Sequence, residues 1–253
     1  MDLGLKGRKA LVTGGTRGIG RAIVELLADE GCNVALCARS AGPVAETVAA
    51  LEKKGIKATG SAVDVSDLAA LKAWVGNAAG TLGGVDIFVA NVSALALGMD
   101  EESWRRGFDV DVMATVFGCE AAIPFLEKSS AGAIVVVGST AMAENFAPNR
   151  AYASVKAAIV PYVKGLARNL AAKNVRANLV SPGNVYFKGG TWGNVEANNP
   201  EFFKSMLARN PTGRMGTPQE VANAVVFLAS PRSSFTTGAN LIIDGALTQR
   251  VQY

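Results

Sequence analysis

Tyr152 and Lys156 stand four residues apart in Ala151-Tyr152-Ala153-Ser154-Val155-Lys156-Ala157-Ala158. The segment has a helical pattern, and residues at that spacing share one face of a helix. A phenol with its ordinary pKa near 10 is a poor acid or base at neutral pH, and a neighbouring ammonium stabilises the phenolate and brings that value down. Ser139 follows the apolar run Ile134-Val135-Val136-Val137-Gly138. A hydroxyl at the end of a strand can hydrogen-bond a substrate oxygen. The chain contains no histidine. Ser-His-Asp triads, Cys-His dyads and histidine zinc sites are therefore excluded, and acid–base work falls to Tyr, Lys, Asp, Glu or Cys.

A second group of residues could hold a phosphate. Thr13-Gly14-Gly15-Thr16-Arg17-Gly18-Ile19-Gly20 follows an apolar run and opens a helical pattern. Glycines there permit a tight turn and let the backbone approach a pyrophosphate at a helix N-terminus. A dinucleotide fold that takes NAD(H) places an acid after its second strand to bond the ribose 2′-hydroxyl. The segment Val34-Ala35-Leu36-Cys37-Ala38-Arg39-Ser40 carries no acid and ends in Arg39 and Ser40. Two guanidinium groups, Arg17 and Arg39, suit a 2′-phosphate, so NADP(H) is the cofactor expected.

These residues need a scaffold, and the periodicity supplies one. Short β-branched runs at 10–13, 33–37, 57–63, 87–90, 133–138, 175–180 and 241–243 alternate with amphipathic stretches such as 20–30, 44–54 and 68–79. The runs are nearly all apolar, as strands of a parallel sheet covered on both faces must be. Strand alternating with helix predicts an α/β fold: a Rossmann-type, doubly wound parallel sheet of seven strands flanked by helices. The chain of 253 residues, 49% hydrophobic and 18% charged, reads as a single domain over 1–253 with a large core. The three cysteines Cys32, Cys37 and Cys119 form no C-x-x-C pair and are expected to pack as small hydrophobes in a reducing compartment. The formal charge of +4 is scattered, which gives no support to a nucleic-acid surface. No stretch approaches the roughly 20 apolar residues of a membrane span, and no apolar signal core opens the chain, so a cytoplasmic location is expected.

With those motifs in order, the chain resembles the classical short-chain dehydrogenase/reductase family, and within it the 3-oxoacyl-carrier-protein-reductase-like branch. The resemblance is carried by Thr13–Gly20, Asp64-Val65, Asn91, Ser139, Tyr152 with Lys156, Ser181-Pro182-Gly183 and the closing Thr237-Gly238-Ala239-Asn240-Leu241-Ile242-Ile243-Asp244-Gly245. It implies hydride transfer between a nicotinamide and a carbonyl or secondary-alcohol carbon. Tyr152 would be the general acid or base, Lys156 would lower its pKa and hold the nicotinamide ribose, and Ser139 would polarise the carbonyl. Gly14, Thr16, Arg17, Gly18, Ile19 and Gly20 would surround the phosphates. Asp64 and Val65 would border the adenine, Asn91 the adenosine ribose, and Pro182, Gly183 and Val185 the nicotinamide. No metal is implied. Long alanine-rich helices of this kind, here 151–172, form subunit interfaces in the family, which implies a homotetramer or a homodimer.

Three departures stand out. Asp111, in Phe108-Asp109-Val110-Asp111-Val112, takes the place of the family's catalytic asparagine. It can accept hydrogen bonds from a relay water and attract Lys156, but it lacks amide donors. The family's Asn-Ala-Gly is Asn91-Val92-Ser93, which could crowd the cofactor, and Phe187 stands where a threonine often bonds the carboxamide. A non-catalytic NADP(H)-binding sensor or scaffold is the competing reading. The stretch 182–200 is rich in Gly and Asn and reads as an irregular loop. The segment of about 184–210 would cover the substrate, and its Tyr186, Phe187, Trp192, Phe202 and Phe203 suit a hydrophobic or cyclic ketone, with a 3-oxoacyl thioester also open.

Overall fold

In the computed structural model, residues 2–144 and 150–251 are described. The elements in chain order are β1 (Lys9–Thr13), α1 (Gly18–Asp29), β2 (Asn33–Ala38), α2 (Ala41–Glu52), β3 (Ala58–Ala62), α3 (Leu68–Leu82), β4 (Ile87–Ala90) and α4 (Glu101–Gly107). A π-helical segment, Phe108–Met113, joins α4 to α5 (Ala114–Leu126). There follow β5 (Gly132–Val137), α6 (Arg150–Leu170), β6 (Val175–Pro182), α7 (Thr191–Asn198), α8 (Pro200–Leu207), α9 (Pro218–Ala229) and β7 (Asn240–Ile243).

The strands form one parallel sheet in the order β3-β2-β1-β4-β5-β6-β7. Chain direction across the sheet reverses between β1 and β4, which opens a crevice at the carboxyl ends of the strands. The apolar strand composition has a simple cause. Every residue of β4, β5 and β6 is buried, because helices cover both faces. Side chains alternate between two cores. Leu11, Ala35, Phe88 and Ile134 pack under α3, α5 and α6, whereas Val12, Leu36, Val89 and Val135 pack under α1 and α9.

Local signals set several boundaries. Asp67 caps α3 by accepting from the Ala69 and Ala70 amides, and Gly83 at φ 74° ends it. The strand limits differ from the sequence reading by one or two residues at most: β3 is shorter at each end, β5 is shifted by one, and β6 runs on to Pro182. The expected helix 151–172 is α6 followed by a 3-10 turn, Ala171–Lys173, that ends at Asn174 with φ 57°. The larger correction concerns 182–200. The segment is not irregular throughout: α7 occupies Thr191–Asn198 and α8 starts at Pro200. Asn199 caps α8 by accepting from the Phe202 amide, and Pro200 stands at its first turn, where a missing N–H costs nothing. Composition hid both helices because Gly and Asn at helix ends read as loop.

All three cysteines are buried and free. Burial pushes the Cys32 and Cys37 thiols up to about 12, so neither supplies a thiolate near neutral pH. No helix among the described residues is long and apolar enough to cross a membrane.

Candidate active site

The crevice is a cleft of about 1900 Å³, well above the roughly 300–1,000 Å³ of a drug-sized pocket and large enough for a dinucleotide and a substrate together. All the catalytic and cofactor residues expected from the sequence line it except Asp111, whereas of the five aromatic residues expected around the substrate Tyr186 and Phe203 do not. The strand ends bring them there: β1 leads into the glycine turn, β4 into Asn91, β5 into Ser139 and β6 into Pro182.

The turn after β1 fits a pyrophosphate. Gly14 and Gly18 have φ of 73° and 52°, which side chains rarely adopt, and a Cβ on Gly20 would collide with the Gly14 carbonyl oxygen. Arg17 is the N-cap of α1 and gives it no side-chain cap, so the first amides of the helix face the cleft without a protein acceptor. Asn91 lines the cleft at the end of β4. Its side-chain amide donates to the Thr13 and Gly14 carbonyls at 3.2 Å each, and its backbone N–H donates to Thr13 Oγ1 at 3.0 Å. Asn91 thus clamps the glycine turn to the end of β4. Val92 does not stand free in the cleft: its Cγ2 lies against Gly14, and a Cβ there would meet it at 2.9 Å.

At the β2–β3 end of the cleft, Arg39 and Ser40 follow β2 and Asp64 follows β3. Asp64 accepts from the Ser66 hydroxyl at 2.7 Å and from its amide at 3.0 Å. Those bonds, with smaller contributions from Arg39 and Arg106, hold its carboxyl below the usual carboxylate range. Arg106 was not among the residues the sequence suggested. The available signal was its spacing, four residues before Val110, which also lines the cleft.

At the other end, Ser139 Oγ accepts from the Ala141 amide at 3.2 Å, which orients the hydroxyl and leaves its own proton to donate. Lys156 is buried on α6, one turn beyond Tyr152. Its ammonium donates to the Val137 carbonyl at 3.2 Å, lies 2.9 Å from Asp111 Oδ1 and sits 5.9 Å from the Tyr152 ring centroid. Burial alone would lower the Lys156 pKa, but the Asp111 carboxylate and Tyr152 outweigh it and the value is raised. Asp111 is buried, and its second oxygen accepts from the Ala94 amide at 3.0 Å. It stands in the π-helical segment, a distortion frequent at functional sites. One carboxylate therefore ties the lysine to the loop after β4. In that loop Ser93 Oγ accepts from the Leu95 amide, and Leu95 takes φ 47°. Phe187 lies over the glycine turn. A Cβ on Gly18 or on Gly190 would come within 2.5 Å of its ring.

The family model described as Enoyl-(Acyl carrier protein) reductase matches residues 14–248. The chain is a classical short-chain dehydrogenase/reductase. It is 39% identical to isoepoxydon dehydrogenase patN of Penicillium expansum, covering 100% of this chain and 99% of that one. It is 33% identical to the 3-oxoacyl-[acyl-carrier-protein] reductase FabG of Vibrio harveyi over 97% and 99% of the two chains. The NADPH-bound short chain oxidoreductase of Pseudomonas aeruginosa PAO1, described as containing an atypical catalytic center, superposes with a TM-score of 0.88. It shares 31% identity over 96% of this chain and 98% of that one. As a short-chain dehydrogenase/reductase the protein is an oxidoreductase built for a nicotinamide dinucleotide, and the glycine turn leading into a helix start without a side-chain cap is the feature of this structure that fits one.

Proposed function

We propose that the protein is an NADP(H)-dependent reductase or dehydrogenase that moves a hydride between nicotinamide C4 and a carbonyl or secondary-alcohol carbon, with Tyr152 as the general acid or base. The observation that carries this reading is the placement of Lys156. Its ammonium is fixed by Asp111 and the Val137 carbonyl under the Tyr152 ring, inside the cleft that Arg17, Arg39 and Ser40 also line.

The cofactor supplies or accepts the hydride when bound. In reduction, Tyr152 gives its hydroxyl proton to the substrate oxygen as the carbonyl carbon becomes a secondary alcohol. Ser139 donates a hydrogen bond to the same oxygen. The Lys156 cation holds the resulting phenolate until a proton from solvent restores it. Oxidation runs these transfers backwards, with Tyr152 as the base. Asp111 is a positioning residue, because it touches Lys156 and not the reacting atoms. Arg17 and Arg39 make no salt bridge with any described residue, which suits a 2′-phosphate.

The substrate side is apolar. Trp192 and Phe202 stack at 6.3 Å between centroids and both line the cleft, with Leu95, Leu97 and Met206. Tyr186 and Phe203 pack against each other and do not line it. A hydrophobic or cyclic ketone fits this wall, and a 3-oxoacyl thioester is the second class to try. We further propose that the protein works as a homotetramer in the cytoplasm.

The test is NADPH consumption over cyclic ketones, aryl ketones, diketones and 3-oxoacyl thioesters, with isoepoxydon in the oxidative direction and NADH in parallel. Tyr152→Phe should lower turnover by about 10²–10⁴-fold, the usual worth of a positioned acid–base group, while fluorescence titration shows the cofactor still bound. Tight NADPH binding with no turnover across the panel would sink the catalytic reading in favour of a sensor.

A further inference from the structure

We propose that Asp111 is a fixed counter-charge to Lys156 that keeps Tyr152 in its protonated form, the form able to give a proton to a carbonyl oxygen, up to a higher pH than a lone ammonium would allow. The inference rests on the acid–base reading of Tyr152 above and adds what sets the pH at which that group changes role.

Tyr152 and Lys156 line the cleft, and Asp111 does not. The ammonium lies 5.9 Å from the centre of the Tyr152 ring and 2.9 Å from Asp111 Oδ1. Asp111 is not free to turn away, because its other oxygen accepts from the Ala94 amide at 3.0 Å. No hydrogen-bond donor among the described residues is aligned on Oδ1, so the Lys156 cation alone answers its charge. An amide donor and an ammonium both favour the carboxylate over the acid. Both side chains of the pair are buried, so solvent and salt screen it little.

A phenolate gains from a nearby cation and loses from a nearby anion. A lone ammonium would draw the Tyr152 proton off at lower pH. An ammonium paired with a carboxylate presents less net charge, so the phenolate gains less and the proton stays. Reduction then keeps its acid through neutral pH: the hydride goes from nicotinamide C4 to the carbonyl carbon, the Tyr152 proton goes to the oxygen, and solvent replaces it. Oxidation needs the phenolate and waits for a more alkaline solution. The equilibrium between ketone and alcohol is untouched, since Asp111 acts on the enzyme only.

The other ionisable groups around α6 are engaged elsewhere or exposed. Arg176 binds the carbonyls that end α9, Lys173 pairs with Glu127, and Lys164 donates to the Gly238 carbonyl. Tyr162 is engaged with the Val116 carbonyl, Glu120 and Cys119 of α5, and Glu144 accepts from the Gln249 and Arg250 amides. Arg150 and Arg168 are exposed. Glu101, Glu102, Arg105, Arg106 and Asp109 line the cleft but are exposed, so salt screens them.

The experiment is a pH titration of the phenolate by ultraviolet difference absorbance, with NADP⁺ bound, in wild type, Asp111→Asn and Asp111→Ser. The same titration with Tyr152→Phe in each background is subtracted, so that Tyr152 alone is read. Its midpoint should fall by about one pH unit in Asp111→Asn, as expected on removing one nearby buried charge. Asp111→Ser removes the same charge, should give a similar fall, and serves if Asp111→Asn does not fold. A merely structural role leaves the midpoint where it is, so an unchanged or raised midpoint in a folded variant overturns the inference. In wild type the midpoint should hold between about 0.05 and 0.5 M salt. A fall there as large as the one expected from the variants would assign the effect to the exposed carboxylates of the cleft and overturn it too. The oxidation rate of isoepoxydon, or of another alcohol that turns over with NADP⁺, should follow the phenolate. A phenolate that shifts while the rate does not removes Tyr152 as the base and leaves the charge effect standing. Turnover that requires Tyr152, with no shift of its midpoint, removes the role of Asp111 alone.

Discussion

Asp111 shows how one substitution reorganises its neighbours. An asparagine at this position would be neutral, whereas the aspartate forms a buried ion pair in which the Lys156 and Asp111 side chains are 3% and 0% exposed. The ammonium cannot be left without its partner cheaply. Asp111→Ala is expected to destabilise the fold by about 3–5 kcal/mol, the usual result of stripping one member from a buried pair, measured as a lower urea midpoint at unchanged slope. Asp111→Asn keeps an acceptor for the Ala94 amide and should lose less. The pH dependence follows from Lys156. Its pKa is raised on folding, so the stabilisation is complete below the ordinary lysine value of 10.5 and fades as pH rises through the higher folded value. On the alkaline side the gap between wild type and Asp111→Ala should therefore persist until strong alkali. A gap that closes near neutral pH would show that the pair is not what holds Asp111 in place. At this scale much was legible from sequence: Ser139, Tyr152, Lys156 and the glycines are recognisable because their chemistry requires those residue types. The direct contact of Asp111 with Lys156, and the use of Asn91 as a clamp, depend on distances that residue type does not encode.

Among the elements, α9 is fastened at both ends. At its start, Thr217 and Glu220 form a capping box, and Arg214 grips the Glu220 carboxylate at 2.6 and 2.9 Å. At its end, the buried Arg176 of β6 donates to the carbonyls of Leu228, Ala229 and Ser230, a cation placed at the negative pole of the helix. Arg214 first, and then the Thr217 amide, pull the Glu220 carboxyl from 4.5 down to about 2. A depressed carboxylate contributes stability above its unfolded pKa and loses it as pH falls through the folded one. Thermal midpoints of wild type should therefore drop between about pH 4.5 and 2, and Glu220→Gln should flatten part of that drop; identical acid limbs would refute the assignment. Thr217→Ala should cost about 1 kcal/mol at any pH above it. The capping box is visible in the sequence Thr217-Pro218-Gln219-Glu220. The arginine at the other end is not, since 52 residues separate Arg176 from Leu228 and only the sheet brings it under the helix.

For the whole molecule, the question is what covers the aromatic side chains left on the surface. Trp104 and Phe108 are 40% and 48% exposed on the run from α4 into the π-helical segment. Large apolar groups at neighbouring positions on one run suit a subunit interface. Light scattering at micromolar concentration should give four times the 26.1 kDa chain mass, and Trp104→Glu with Phe108→Glu should lower it. A wild-type mass of one chain would remove the tetramer.

The alternation of apolar strands with amphipathic helices was sufficient to determine a doubly wound parallel sheet, because each period follows from which faces must leave water. The glycine turn, the Tyr152–Lys156 spacing and Ser139 likewise follow from local chemistry. The tertiary structure alone decided that α7 and α8 form a wall where composition suggested a loop. It also decided that Phe187 lies on Gly18 and that Asp111 pairs with Lys156. Each of those depends on the crossover connections, which bring together residues tens of positions apart in the chain, and no local pattern records which of them will meet.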